Sequence, residues 1–509
     1  MARKPKHIAE FGDFQTPDGL ANSVLSCLRS IGIKPAAIVE PSCGKGAFLV
    51  ASAKAFPTAK LFGLEINPSH LAVAESRLGR KKSVYLKCGS FFAEDWSTTI
   101  GELPRPLLVV GNPPWVTNAE LGQLGSGNLP TKSNFQKFKG LDAVTGKSNF
   151  DISEWMLIKN LEWIIEAKGV LAVLCKIAVA RKVLNRAWQS GVPITEARII
   201  RIDAKAHFNA AVDACLCIIR TDQKSTQQSC KIYETFDAKQ PISTLGFADN
   251  TIVTDLEAYT KTSWLRGADP KHTWRSGLKH DCSKVMELTR VDASKWLNGF
   301  DEAVSIEPSH LYPLMKSSDI AGSRTRIFEK WVIVPQRAVG EPTHELQKVA
   351  PRTWNYLLRH AAALDARTSI IYKKKPRFAI FGVGPYTFAP WKVAISGLYK
   401  KLEFKLYGPT HGRPTIFDDT VYFLPFESEV QATEVLKALQ GKAAQAFLSS
   451  MVFWDEKRPI TVELLKRLDL TRLLVPPSNA KVAREQQLLF VVDQTVPTTS
   501  RRRKATVAT

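Results

Sequence analysis

The chain has 509 residues, too many for one ordinary compact domain at about 100–200 residues each, and 44% of them are hydrophobic, enough to bury real cores. Its 70 Lys+Arg against 48 Asp+Glu give a net charge of +22, divided as +9 over residues 1–250 and +13 over 251–509, a spread that points to a polyanionic partner such as nucleic acid. No apolar run approaches the ~18 residues of a membrane span, no hydrophobic segment follows the charged start, and the 8 cysteines show no CxxC spacing, so a reduced, cytoplasmic protein with no structural metal is expected.

In chain order, short β-rich runs alternate with helical spacing from Pro35 to about Arg220, the pattern of a doubly wound α/β sheet. Strands are expected at Ala36–Glu40, Lys60–Glu65, Ser83–Lys87, Pro106–Val110, Gly169–Cys175, Ala197–Ile202 and Ala214–Arg220. Helices are expected at Ala47–Phe56, Ser69–Leu78, Ile152–Ala167 and Ala178–Gln189. The interruption at 116–150 is too long for an ordinary connection and reads as a lid or a DNA-contacting loop. Past a polar linker at 222–230 the alternation fades. Trp331–Gln336, Thr368–Tyr372, Phe378–Val383 and Thr420–Pro425 read as short strands, and Val430–Ser450 as one amphipathic helix or two divided at Gly441. The expected division is therefore an α/β domain over 1–225, a mixed α/β or mainly β domain over 226–490, and a basic, disordered tail over 491–509 containing Arg501, Arg502, Arg503 and Lys504.

Three features of the first half are spaced as one site. Glu40-Pro41-Ser42-Cys43-Gly44-Lys45-Gly46 is a glycine turn that leaves a strand and opens a helix, which lets a ligand approach the backbone and meet helix N–H groups. Glu65 ends the next strand, 19 residues past Gly46, where a carboxylate can accept from a ribose diol. Each is common as plain architecture. The third is less so: an apolar strand runs into Gly111-Asn112-Pro113-Pro114-Trp115. Two prolines fix φ and remove two N–H donors, leaving carbonyl acceptors. An Asn amide oxygen beside a Pro carbonyl clamps an NH₂ group, and Trp115 offers a stacking face, so the site suits an amino group on a planar heterocycle.

With these motifs the chain resembles the amino-group DNA methyltransferases that use S-adenosylmethionine, the type II adenine-N6 enzymes above all. Phe11-Gly12-Asp13-Phe14-Gln15-Thr16-Pro17 is similar to that family's N-terminal cofactor motif, and its position before the glycine turn resembles the gamma arrangement. The resemblance implies a Rossmann-like S-adenosylmethionine-dependent methyltransferase domain followed by a target-recognition domain. It places Thr16 at the cofactor's methionine end, Glu40, Pro41, Gly44 and Gly46 around its amino acid moiety, Glu65 on the ribose, and Ile66 and Phe91 on either face of its adenine. Ser90 stands where the family usually has an Asp for the adenine amino group. Asn112, Pro113, Pro114 and Trp115 are implied as catalytic, with Trp115 and Phe208, from Ala206-His207-Phe208-Asn209, against a flipped base. The implied function is transfer of methyl to N6 of a flipped adenine in double-stranded DNA, as the modification partner of a separately encoded restriction endonuclease or in phage defence. Cytosine N4, an RNA substrate and a non-catalytic DNA-binding subunit are the alternatives; the intact tetrad disfavours the last.

Other stretches have plainer readings. Gly146-Lys147-Ser148 imitates a P-loop, but Gly140 is one residue too far upstream, so nucleotide hydrolysis is rejected and Lys147 is read as a phosphate contact beside the tetrad. Cys215 and Cys217 alternate on a strand and read as core. In the second half, Tyr372-Lys373-Lys374-Lys375-Pro376-Arg377 leads toward Tyr386, Trp391 and Lys392, and its cations are read as DNA phosphate contacts. Trp274–Asp281 and Lys316–Ile320 resemble recurring recognition-domain stretches without a derivable role.

Overall fold

The computed structural model describes residues 15–116, 151–222, 227–292, 295–322 and 330–474. They divide into two compact units, one holding the chain to Thr260 together with Ser449–Glu456, the other holding Lys261–Leu448 and the described residues from Lys457. Lys147, the 117–150 interruption and the 491–509 tail lie outside the described residues. Among the described residues no helix is long and apolar enough to cross a membrane.

The first unit is built on one ten-stranded sheet in the order β10-β9-β8-β6-β7-β5-β4-β1-β2-β3. In chain order its elements are α1 (Asp18–Ser30), β1 (Ala37–Glu40), α2 (Ala47–Ala55), β2 (Lys60–Glu65), α3 (Pro68–Leu78), β3 (Val84–Cys88), α4 (Trp96–Gly101), β4 (Leu107–Gly111), α5 (Ile152–Ala167), β5 (Val170–Lys176), α6 (Ile177–Gln189), β6 (Ile194–Ile202), α7 (Ala204–Phe208) and β7 (Ala214–Thr221). The order 3-2-1-4-5 is parallel throughout, and β7 runs antiparallel between β5 and β6. Continuous apolar runs explain it: β1 and β4 are buried along their whole length, as strands covered on both faces must be. Cores lie on both sides of the sheet, and Cys215 and Cys217 are fully buried in it.

Every strand and helix expected between Ala36 and Arg220 is present within a few residues, but the boundary at 225/226 is not where the unit ends. β8 (Ser229–Tyr233) pairs parallel with β6, and β9 (Ser243–Ala248) and β10 (Thr251–Val253) follow as an antiparallel extension. β8 follows the polar linker in sequence and still joins the same sheet, so composition changed before the sheet did.

The second unit carries a four-stranded sheet, β11 (Arg275–Ser276), β20 (Val421–Phe426), β17 (Trp391–Ser396) and β18 (Lys405–Tyr407) in spatial order. Beside it is a six-stranded sheet of β14 (Ala303–Val304), β13 (Trp296–Leu297), β12 (Glu287–Arg290), β16 (Lys330–Ile333), β15 (Leu311–Met315) and β19 (Ile416–Phe417). Expected helix Val430–Ser450 is two helices divided at Gly441, Glu429–Gln440 and Lys442–Ser449. Two expected strands are absent. Ile370–Tyr372 is a 3₁₀ turn, and Phe378–Val383 contributes a single bridge, Lys279 to Phe381. Left-handed backbone at Lys374, Phe378 and Gly382 breaks the extended chain there, while Phe378 and Ile380 still drop into the core.

Candidate active site

β1 pairs with β2 on one side and β4 on the other, so the strand order reverses there and the carboxyl ends of β1 and β4 open a crevice. Both main motifs sit at this point: the glycine turn follows β1, and the tetrad follows β4. They meet closely, since a Cβ on Gly111 would lie 3.4 Å from Glu40 Cγ.

The turn is braced from three sides. Gly44 and Gly46 are left-handed, at φ +53° and +78°. Each oxygen of Glu65 accepts one backbone N–H at 2.8 Å, from Gly44 and from Asn67, which ties the end of β2 to the turn and leaves further lone pairs for a ligand. Gln15 Oε1 accepts from Lys45 N at 3.1 Å, so the residue before Thr16 meets the turn, while residues 11–14 of the N-terminal motif lie outside the described residues. Arg77 donates to Lys45 O at 2.9 Å and pairs with Asp18 at 2.6 Å. Behind the turn lies Glu40, 3% exposed, with Oε2 buried and unpartnered. Burial pushes its carboxyl well above the usual range, the Leu49 N–H opposes that, and the Glu65 charge adds to it. Pro41 and Cys43 are buried, and burial drives the Cys43 thiol far up, which makes it packing rather than a nucleophile.

The segment that follows β3 is aromatic. Phe91, expected against a purine, is 7% exposed and packed against Phe92, Trp96, Trp155 and Trp163 at centroid distances of 5.2–5.8 Å. Its burial in this cluster leaves Phe92, Trp96 and Trp155 as the partly exposed rings there. Ser90 Oγ accepts from Phe92 N at 3.2 Å, and Ile66 stands 37% exposed beyond the end of β2.

At the tetrad, Trp115 is 6% exposed and donates its indole N–H to Leu174 O at 3.3 Å. Phe208 comes from α7, 93 positions later, to meet it edge to face at 5.2 Å and 69°. A ring slotted between two others needs about 7 Å between their centroids, twice a contact distance of ~3.5 Å, so the pair forms one wall rather than two jaws. Lys176, at the end of β5, reaches Trp115 O at 3.2 Å and Asp151 at 2.6 Å. Gln15, Trp155, Asp151 and Lys176 were not singled out from sequence. Only Gln15 lay within a motif; the others enter through the sheet register, which a single sequence does not display.

In the second unit Lys373, Lys374 and Lys375 are exposed, while Arg377 is paired with Asp365 at 2.7 Å. Lys392, in the same basic-aromatic stretch, is no phosphate contact: it is 1% exposed on β17, its ammonium donates to Ala389 O at 2.6 Å, and burial pulls its pKa down to about 7.

The type II methyltransferase M.NspV of Nostoc sp. is 45% identical to this chain over 464 residues, which span 91% of this chain and 96% of that protein. The chain belongs to the type II methyltransferases. As such it is a DNA-modifying enzyme of the restriction–modification class whose methyl donor is S-adenosylmethionine. A second type II methyltransferase, M.XamI of Xanthomonas campestris pv. amaranthicola, is 30% identical over 115 residues, 22% of this chain and 21% of that one. No family model matches. Among solved structures, the type IIL restriction-modification enzyme MmeI in complex with DNA shares the fold at a TM-score of 0.53 and 11% identity, covering 95% of this chain and 68% of its own. The crevice fits the cofactor of a type II methyltransferase in one respect: a buried, unpartnered carboxyl oxygen on Glu40 suits an ammonium group.

Proposed function

We propose that the enzyme methylates N6 of adenine in double-stranded DNA, with the target base swung out of the helix into the crevice. The observation that carries this reading is the placement of Asn112-Pro113-Pro114-Trp115 at the reversal of strand order, against Glu40 and with Phe208 on Trp115. A base within a duplex cannot reach a bound methyl donor, and extrusion costs a few kcal/mol, which stacking on the Trp115–Phe208 wall offsets in part. Asn112 Oδ1 and Pro113 O accept the two hydrogens of the exocyclic amine, which draws its lone pair out of ring conjugation and aims it into the crevice. S-adenosylmethionine, held by Glu40, Pro41, Gly44, Gly46, Thr16 and Glu65 with its adenine by Ile66, Ser90 and the Phe91 cluster, supplies an electrophilic methyl. Catalysis is then positioning and electrostatics, with no covalent enzyme intermediate. Lys373, Lys374 and Lys375 contact phosphate, with Arg377 held by Asp365 as a weaker contributor, and a separately encoded endonuclease cuts the unmodified site.

The test is transfer of labelled methyl to unmodified DNA, RNA and protein in parallel, followed by nucleoside analysis, with Asn112→Ala beside the wild type. N6-methyladenine in DNA, lost in Asn112→Ala, supports the reading. N4-methylcytosine would replace the base, label in RNA would replace the substrate, and an active Asn112→Ala would remove the clamp.

A further inference from the structure

Pro113 and Pro114 carry no N–H, so the tetrad has few donors with which to hold its own backbone. Holding comes from outside, from the end of β5 and the start of α5. Lys176 Nζ lies 3.2 Å from Trp115 O and 2.6 Å from Asp151 Oδ2. Val116 O accepts from Ile152 N at 2.9 Å, and the Trp115 indole is fixed on Leu174 O. The Asp151 side chain is 9% exposed and also caps α5, accepting from Ser153 N at 3.1 Å and Ser153 Oγ at 2.5 Å. A lysine joined to so buried a carboxylate has little freedom, and its second bond falls on the last carbonyl of the tetrad.

We propose that Lys176 is a positioning residue for methyl transfer: a salt-bridged strut that fixes the tetrad backbone so that Pro113 O and Asn112 point at the target amine. This rests on the reading of Asn112 and Pro113 as the amine clamp. Asp151 cancels the lysine charge, so the strut adds no net positive charge beside a cationic methyl donor. In-line transfer tolerates little displacement; about 1 Å of misplacement costs on the order of 100-fold in rate.

The full-length Lys176→Met variant is expected to lose about 100-fold in kcat while its dissociation constant for S-adenosylmethionine stays within a few-fold of the wild type. Removing the ammonium alone strands the Asp151 charge and threatens the fold. The double variant Lys176→Met/Asp151→Asn therefore restores charge balance and melting temperature, and is expected to remain slow. Lys176→Arg, which keeps both bonds, is expected to recover most of the rate. Wild-type kcat in Lys176→Met, recovery of kcat in the double variant, or loss of cofactor binding in step with kcat would each overturn the proposal. Asn112→Ala separates the two failures: if it is inactive while Lys176→Met is fully active, only the strut fails, and if it is active, the clamp and the strut fail together.

Discussion

Glu40 is the residue whose surroundings make the sharpest demand. Desolvation raises the pKa of a carboxyl with one oxygen buried and unpartnered, the Leu49 N–H opposes that, and the nearby Glu65 charge adds to it. Its folded pKa is raised, so its contribution to the stability of the free protein is largest below the unfolded carboxyl range and declines as pH rises toward the folded value. Bringing an ammonium group against Glu40 reverses the preference and expels the proton. Binding of S-adenosylmethionine should then release protons at pH values between the lowered pKa of the complex and the raised pKa of the free enzyme, and tighten as pH rises through that interval. Titration calorimetry in buffers of different ionisation enthalpy reads this directly. Heats that do not depend on the buffer would rule the linkage out, and Glu40→Gln should abolish any dependence that is found.

Among elements, the glycine turn and the second unit show what could and could not be read in advance. The turn, the tetrad and all strands from β1 to β7 were legible because each is a local pattern: a long apolar run, a break, a helical period. The crossing of 275–281 with 381–386 and 417–420 was not, because it is made by contacts between residues over 100 positions apart. Gly277 lies where a Cβ would run into the Asp418 and Phe417 carbonyl oxygens, and a Cβ on Gly382 would meet Gly277 O. Ser276 Oγ donates to Asp419 O at 3.3 Å, and Ser317 Oγ to Thr420 O at 2.7 Å, so the two polar stretches without a derivable role prove to be parts of one framework. His280 and Lys316, one from each stretch, both face Glu287, at 3.4 and 2.6 Å. Burial works to raise the Glu287 pKa, but the bonds from His280 and Lys316 outweigh it and hold it at about 2. That stabilisation is complete above the unfolded carboxyl value and is lost as pH falls from about 4.5 to about 2. Glu287→Gln should therefore lower the melting temperature at pH 7, lower it by less at pH 3 and make little difference near pH 2; an equal drop at pH 7 and pH 3 would contradict the assignment. Gly277→Ala should cost several kcal/mol because only carbonyl oxygens, not flexible side chains, surround the added methyl. Chemical denaturation measures it, and wild-type stability would refute the tight crossing.

At the scale of the whole molecule, the +22 net charge must be divided between cations that meet DNA and cations that do not. The structure removes or weakens several basic residues of the first group: Lys392 is buried, Arg377 is held by Asp365, Lys176 is paired with Asp151 and Arg77 with Asp18. Lys373, Lys374 and Lys375 remain exposed on a turn whose shape is fixed by Tyr372, which donates to Lys279 O at 3.2 Å under the Arg367 guanidinium at 3.9 Å. A rigid turn presenting three exposed ammonium groups suits phosphate contact, which contributes affinity without reading sequence. Each phosphate neutralised adds about 0.9 to the slope of log affinity against log salt for duplex DNA. Replacing all three lysines by alanine should weaken binding to specific and random duplexes alike and reduce that slope by about 2–3, while cofactor affinity stays unchanged. Binding isotherms at several salt concentrations provide the measurement. An unchanged slope would move the DNA surface away from this turn, and a loss confined to one sequence would make the lysines readers of bases rather than of the backbone.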